Sequence, residues 1–143
     1  MGGNALIFST LYPQILRKRL ETKHLIFVYG TLRTGHSNHH LLKDAKNYGA
    51  GNTVENYTMY LANGYPYVNS YEPRYPVVGE LFGVDDSTLT LLDKMEGHPR
   101  HYERKETQVT VEGKQYTAWM YFRNPPGVLM QNGDYSKVHH GKV

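Results

Sequence analysis

Two features of this 143-residue sequence are suited to chemistry: a carboxylate, Glu96, and a glycine-centred stretch, Tyr29-Gly30-Thr31-Leu32. Leu89, Leu92 and Glu96 fall at i, i+3 and i+7, so a helix over residues 88–95 carries the acid at the end of its apolar face. An acid placed there is partly desolvated and sits at the negative end of the helix dipole. Both effects disfavour ionisation and raise its pKa towards the working range of a general base. The competing assignment is a helix-end carboxylate paired with Arg100 or Arg104. Asp93 falls on a different face, where solvation is expected.

The glycine-centred stretch ends a run of apolar and aromatic residues, 25–29, that reads as a buried strand. Gly30 stops the run, and a polar loop follows from Thr31 to Asn38. Leu41 and Leu42 then open a short helix, with Ser37 or Asn38 as its N-cap. This order leaves several backbone N–H groups unpaired, able to bind an anion or a polarised carbonyl. It is equally the form of an ordinary strand–turn–helix connection. The spacing from Gly30 to Gly35-His36-Ser37 imitates a phosphate-binding loop, but histidine stands where the phosphate-contacting lysine belongs. Nucleotide chemistry is therefore not expected. Nor is a metal site: His36, His39 and His40, His98 and His101, and His139 and His140 cluster without His-Glu-x-x-His spacing or any cysteine.

The elements that position these residues belong to one domain, since 143 residues are enough for a single core. Thirteen tyrosines against four phenylalanines and one tryptophan suggest a β-rich fold whose rings carry hydroxyls into a polar site. The absence of cysteine excludes thiol catalysis, disulfides and cysteine-based zinc sites. A net charge of +3 without a basic stripe argues against nucleic-acid binding. Residues 1–23 form a basic, acid-poor extension, either disordered or targeting to an organelle, ahead of a domain at 24–143. Its apolar run is short and interrupted by Pro13, so no membrane span is expected and a cytoplasmic location is.

Further strands are expected at residues 50–61, 65–71 and 77–84. Asp85-Asp86-Ser87 caps the helix that Gly97 stops. Residues 104–111 and 115–122 alternate around Glu112-Gly113-Lys114 as a hairpin, and a polar tail follows. Short strands with two short helices predict an α+β fold, a small mixed β-barrel with short flanking helices.

Taken together, VYGTLRTGHSNHHLL, GELFGVDDSTLTLLDKMEGHPRHYERKETQV and NGDYS resemble the gamma-glutamylcyclotransferase-like proteins, and within them the gamma-glutamylamine cyclotransferase branch. The resemblance covers about residues 24–138. Its specific part joins Tyr-Gly-Thr-Leu to Leu92-Asp93-x-x-Glu96-Gly97, with Tyr102 and Arg104 beyond it. Residues 1–23 depart from the family, whose first strand usually begins almost at the methionine.

The resemblance implies a barrel with its cavity at one end. In it Tyr29, Gly30, Thr31 and Leu32 hold a gamma-glutamyl moiety by their backbone, and Glu96 is the proton acceptor. It further implies intramolecular attack of the substrate's α-amine on its γ-carbonyl, releasing 5-oxoproline and a free amine without metal or cofactor. Tyr102 and Tyr135 are additional substrate-binding candidates as phenols able to hydrogen-bond Glu96 or the substrate. Arg33 is a candidate partner for the substrate carboxylate, or a surface cation. The partner expected is a small gamma-glutamyl molecule, with no nucleic acid and no membrane, and the protein a monomer or weak dimer. The alternative is a non-catalytic binding or regulatory module on the same fold. If the enzyme reading holds, activity should survive exhaustive dialysis against a chelator, and millimolar nucleotide should leave the melting temperature unchanged. Loss of activity on chelation, with recovery on adding zinc, would overturn it.

Overall fold

Residues 23–137 are described in the computed structural model. In chain order the strands are β1 (His24–Val28), β2 (Lys46–Thr53), β3 (Thr58–Ala62), β4 (Tyr65–Asn69) and β5 (Val78–Val84), then β6 (Glu103–Val111), β7 (Lys114–Phe122) and β8 (Val128–Leu129). Between β5 and β6 lies the α-helix, α1 (Asp86–Glu96), and two short 3-10 turns occupy His39–Leu42 and Tyr135–Lys137. Five strands close a barrel in the order β1-β5-β2-β6-β7, and β4-β3-β8 form a second small sheet. The barrel pairs are antiparallel except at the closure, where β7 runs parallel to β1 with Ile26 opposite Trp119. This is the α+β mixed barrel that the short strands predict. The basic leader up to residue 22 and the His139–His140 pair lie outside the described residues.

β1 is buried on both faces, which explains its unbroken apolar run. Phe27 and Tyr29 point into the core with Leu81, Val109, Met120 and Phe122. Ile26 and Val28 face the other way, against Phe82, Val84 and the helix residues Leu89 and Leu92. α1 therefore packs on the outside of the β1–β5 pair, and its far end is delivered to the end of β1.

The helix is set at both termini by local chemistry. Asp85 is the N-cap and accepts from the Thr88 N–H at 2.8 Å, so α1 begins two residues before the position expected. Gly97 takes the left-handed conformation (φ 69°), and the His98 N–H returns to the Asp93 carbonyl at 2.9 Å. That tight reversal leaves Glu96 as the last helical residue.

Three expectations need correction. The strand expected at 50–61 is two strands in different sheets. Thr53 bends the chain out of the barrel: its hydroxyl donates to the Glu55 carbonyl at 2.7 Å and accepts from the Val77 N–H at 2.9 Å. β2 also starts earlier, in Lys46-Asn47-Tyr48-Gly49, a stretch of low β-propensity that pairing with β5 recruits across a bulge. The helix expected from Leu41 is a single 3-10 turn, and Asn38 supplies no side-chain cap to it.

At Gly97, a Cβ would add a 2.9 Å contact with the His101 Cβ to the cost of its left-handed backbone. At Gly113, in the β6–β7 turn (φ 79°), a Cβ would meet open space. Gly113→Ala should therefore cost about 1 kcal/mol, roughly 4 °C in a thermal melt, and Gly97→Ala should cost more. Equal losses would mean that the helix end tolerates the extra carbon.

Candidate active site

A cavity of about 210 Å³ opens where the end of β1, the β3–β4 hairpin and the end of α1 meet. Residues 27–32, Tyr65 and Pro66 of the hairpin, and Met95 and Glu96 of the helix line it, with Asn38, Tyr102 and Tyr121. The site thus gathers Tyr29, Gly30, Thr31, Leu32, Glu96 and Tyr102, the sequence candidates apart from Tyr135.

Glu96 is largely desolvated, and burial alone pushes its carboxyl up to about 7. Among the described residues its carboxylate makes no hydrogen bond or ion pair, so neither Arg100 nor Arg104 partners it. Arg104 is committed to Asp93: Nε donates to Oδ1 at 2.8 Å and Nη2 to Oδ2 at 3.0 Å, a bidentate pair. The expectation of a solvated Asp93 is therefore wrong. Its side chain is 21 % exposed and also accepts from the Tyr121 hydroxyl at 2.7 Å. Burial pushes its carboxyl up, but the hydrogen bonds from Arg104 and Tyr121 prevail and hold it below the usual range. Two carboxylates three residues apart are driven in opposite directions, the arrangement that separates a reactive acid from a structural one.

Opposite Glu96 lies the loop. No hydrogen bond among the described residues uses the N–H groups of Gly30, Thr31 or Leu32. The loop is held instead through its carbonyls and side chains. The Asn38 N–H donates to the Thr31 carbonyl and its side-chain amide to Thr31 Oγ1, each at 2.8 Å. His39 Nδ1 lies 3.0 Å from the Leu32 carbonyl. Gly30 is required by its neighbour: a Cβ there would lie 2.8 Å from Pro66 Cγ.

Phenols surround the acid. Tyr29 is buried and donates to the Tyr121 carbonyl at 2.8 Å. The Tyr102 hydroxyl lies 3.4 Å from the Pro66 carbonyl and is raised to about 12, by burial first and by the charge of Glu96 second. Tyr135 is not among the lining residues. Its hydroxyl donates to the Gly64 carbonyl at 3.0 Å, at the tip of the hairpin that carries Tyr65 and Pro66. Arg33 is likewise turned away from the cavity, paired with Asp134 at 2.9 Å. The sequence reading missed Tyr121 and the role of Asn38. Tyr121 was accessible to it, because counting back from the two-residue turn at Glu112-Gly113 puts Tyr121 opposite Arg104. Among the described residues no group of three or more His, Asp or Glu side chains is placed to hold a metal ion, and no helix is long and apolar enough to cross a membrane.

The family model described as gamma-glutamyl cyclotransferase, AIG2-like, matches residues 26–141. A Methanocaldococcus jannaschii protein named "Putative gamma-glutamylcyclotransferase" is 44% identical over 113 residues, covering 77% of this chain and 93% of that protein. The gamma-glutamylaminecyclotransferase of Bos taurus is 35% identical over 96 residues, 62% of this chain and 57% of its own. The crystal structure of an AIG2-like protein from Mus musculus superimposes with a TM-score of 0.67 at 30% identity, covering 82% of this chain and 92% of the other.

Because its folded pKa is raised above 4.5, Glu96 contributes its full stability only below that pH, and the contribution is lost as pH rises through about 7. Glu96→Gln should therefore melt a few degrees above the parent protein at pH 8, with the gap closing towards pH 5. A gap independent of pH would show that the carboxylate is well solvated.

Proposed function

Because the chain belongs to the AIG2-like gamma-glutamyl cyclotransferase family, we propose that it cyclises gamma-glutamylamines, releasing 5-oxoproline and a free amine. The observation that carries this reading is the pairing, across one small cavity, of an unpartnered, desolvated Glu96 with the free N–H groups of residues 30–32. An α-ammonium is not a nucleophile until it loses a proton. Glu96 accepts that proton, the freed α-nitrogen attacks the γ-carbonyl carbon, and the carbonyl oxygen becomes an oxyanion. Donors fixed in the loop stabilise that charge without reorganising, and no side chain at Gly30 stands in the way. Glu96 then returns the proton to the leaving nitrogen, the C–N bond breaks, and the ring nitrogen passes its second proton to the departing amine, which leaves as the ammonium beside a neutral lactam and an ionised Glu96. Both reacting groups belong to one molecule, so the pocket has only to select the folded conformer.

The preference for amines over amino acids rests on what lines the cavity. Among the described residues Glu96 is the one acid in its lining, and none of those lining residues is a lysine, arginine or histidine. A leaving amino acid would bring its carboxylate towards Glu96 with no lining cation to offset it, whereas an amine brings none. At the mouth, Tyr65 and Met95 are exposed at 60 % and 40 %, apolar surface suited to an alkyl or aryl chain. The name of the Bos taurus relative supports the same class.

The test is a panel of gamma-glutamyl amines, peptides and ε-linked lysine, assayed for 5-oxoproline. Amines should be turned over fastest, and kcat/KM should rise with pH through about 7 as Glu96 ionises. Glu96→Gln should fold and lose activity by at least a factor of about 100. Gly30→Val should keep the fold and weaken 5-oxoproline binding about tenfold or more, because its side chain collides with Pro66. Near-normal turnover by folded Glu96→Gln would remove the acid from the mechanism.

A further inference from the structure

We propose that the hydroxyl oxygen of Tyr121 recognises the substrate's α-ammonium as a hydrogen-bond acceptor, and that Asp93 and Arg104 act through it by holding the phenolic proton out of the cavity. The inference rests on the cyclotransferase reading and deepens it at a residue outside the Tyr-Gly-Thr-Leu loop. Tyr121 lies near the end of β7 and lines the same cavity as Glu96. Its proton is committed to Asp93 Oδ1 at 2.7 Å. That carboxylate is itself fixed by the bidentate contact with Arg104, whose guanidinium lies 4.3 Å from the centre of the Trp119 ring. A phenol that has given away its one proton has only lone pairs left to offer.

The neighbouring phenols behave alike. Tyr29 donates to the Tyr121 carbonyl and Tyr102 points its hydroxyl at the Pro66 carbonyl. The hydroxyl protons of Tyr29 and Tyr121 are thus directed into the protein by short hydrogen bonds, that of Tyr102 has only the long contact with Pro66, and none is donated to the acid. On the side of Glu96 and Tyr121 the cavity therefore offers acceptors, and favours a group that carries donors. The α-ammonium carries three. One proton passes to Glu96, and Tyr121 accepts a hydrogen bond from a second. Once deprotonated, the amine keeps two N–H bonds, and an acceptor that holds one of them aims the lone pair at the γ-carbonyl carbon. Burial, and after it Asp93, pushes the Tyr121 hydroxyl far above its ordinary range, so it stays protonated and its orientation persists at any working pH.

The discriminating ligand is a des-amino analogue, the N-alkyl monoamide of glutaric acid, which keeps the shape of a gamma-glutamyl alkylamine but has no ammonium and cannot cyclise. In Tyr121→Phe the ring and its packing are retained. We expect kcat/KM for the gamma-glutamyl alkylamine to fall about tenfold or more, the usual loss for a hydrogen bond to a charged group, while the inhibition constant of the analogue stays within about twofold. Equal losses for both ligands would make Tyr121 a wall of the cavity and nothing more, and no loss for either would mean that its oxygen does not meet the substrate. Both results overturn the proposal while leaving the cyclotransferase reading intact. If the parent protein forms no 5-oxoproline from any gamma-glutamylamine, that reading falls first and takes the proposal with it.

The positioning role has its own test. In Asp93→Asn, Arg104 claims the single amide oxygen, and the amide N–H faces the phenol. The phenolic proton then swings towards the cavity. Asp93→Asn should raise the KM of the alkylamine severalfold and add nothing further when Tyr121→Phe is already present. Additive losses would show that Asp93 acts on the fold and not through Tyr121.

Discussion

The Asp93–Arg104 pair is the interaction on which the site depends. It joins the last turn of α1 to β6 with two parallel hydrogen bonds, and so anchors the end of the helix to the barrel. By engaging Arg104, it also commits one of the two arginines that the sequence offers as partners for Glu96. An acid one turn further along the same helix is left in an apolar corner with nothing to neutralise it. An unpaired, partly buried carboxylate destabilises the folded state. That strain is tolerable because the pair beside it, the capped helix and the doubly buried β1 hold the frame in place.

The loop is governed by approach distances more than by unusual backbone angles. Gly30 lies against Pro66, and Pro66 belongs to a hairpin whose tip is tied down by the Tyr135 hydroxyl. Arg33 and Asp134 add a second tie between the loop and the C-terminal 3-10 turn. Residues with no place in the cavity lining therefore determine how wide it is. Tyr135 was a candidate substrate contact and Arg33 a candidate carboxylate partner or surface cation; in the fold the Tyr135 hydroxyl is tied to the Gly64 carbonyl and the Arg33 guanidinium to Asp134.

What the sequence disclosed follows the range of the forces involved. β1, α1 and the β6–β7 hairpin were legible because their signals are local: an apolar run, an N-cap aspartate with a glycine stop, and a turn between alternating strands. The desolvation of Glu96 was legible for the same reason, as a position on a helical face. Asp93 was misplaced because a helical wheel does not register Arg104 and Tyr121, which arrive from β6 and β7. The division of residues 46–62 between two sheets was hidden likewise, since the Thr53 bend is held by the Val77 N–H from the far side of a long connection. Gly30 stood out in the sequence as the residue that ends the strand, but the close approach of Pro66, which a Cβ would meet, is visible only in the fold.

The parallel contact of Ile26 with Trp119 has a consequence for how the chain comes to exist. β1 leaves the ribosome first among the described strands, yet the strand that closes the barrel against it is the last of the five. At about 5–20 residues per second, that delay is on the order of ten seconds, during which an unbroken apolar strand has no partner on one edge. Folding is then dominated by pairings distant in sequence, which places this domain among slow folders compared with helical proteins of its size. A chain halted before β7 possesses the glycine loop and the acid but not the wall behind them. Such a nascent fragment is exposed to misassociation through the free edge of β1 until β7 has been made.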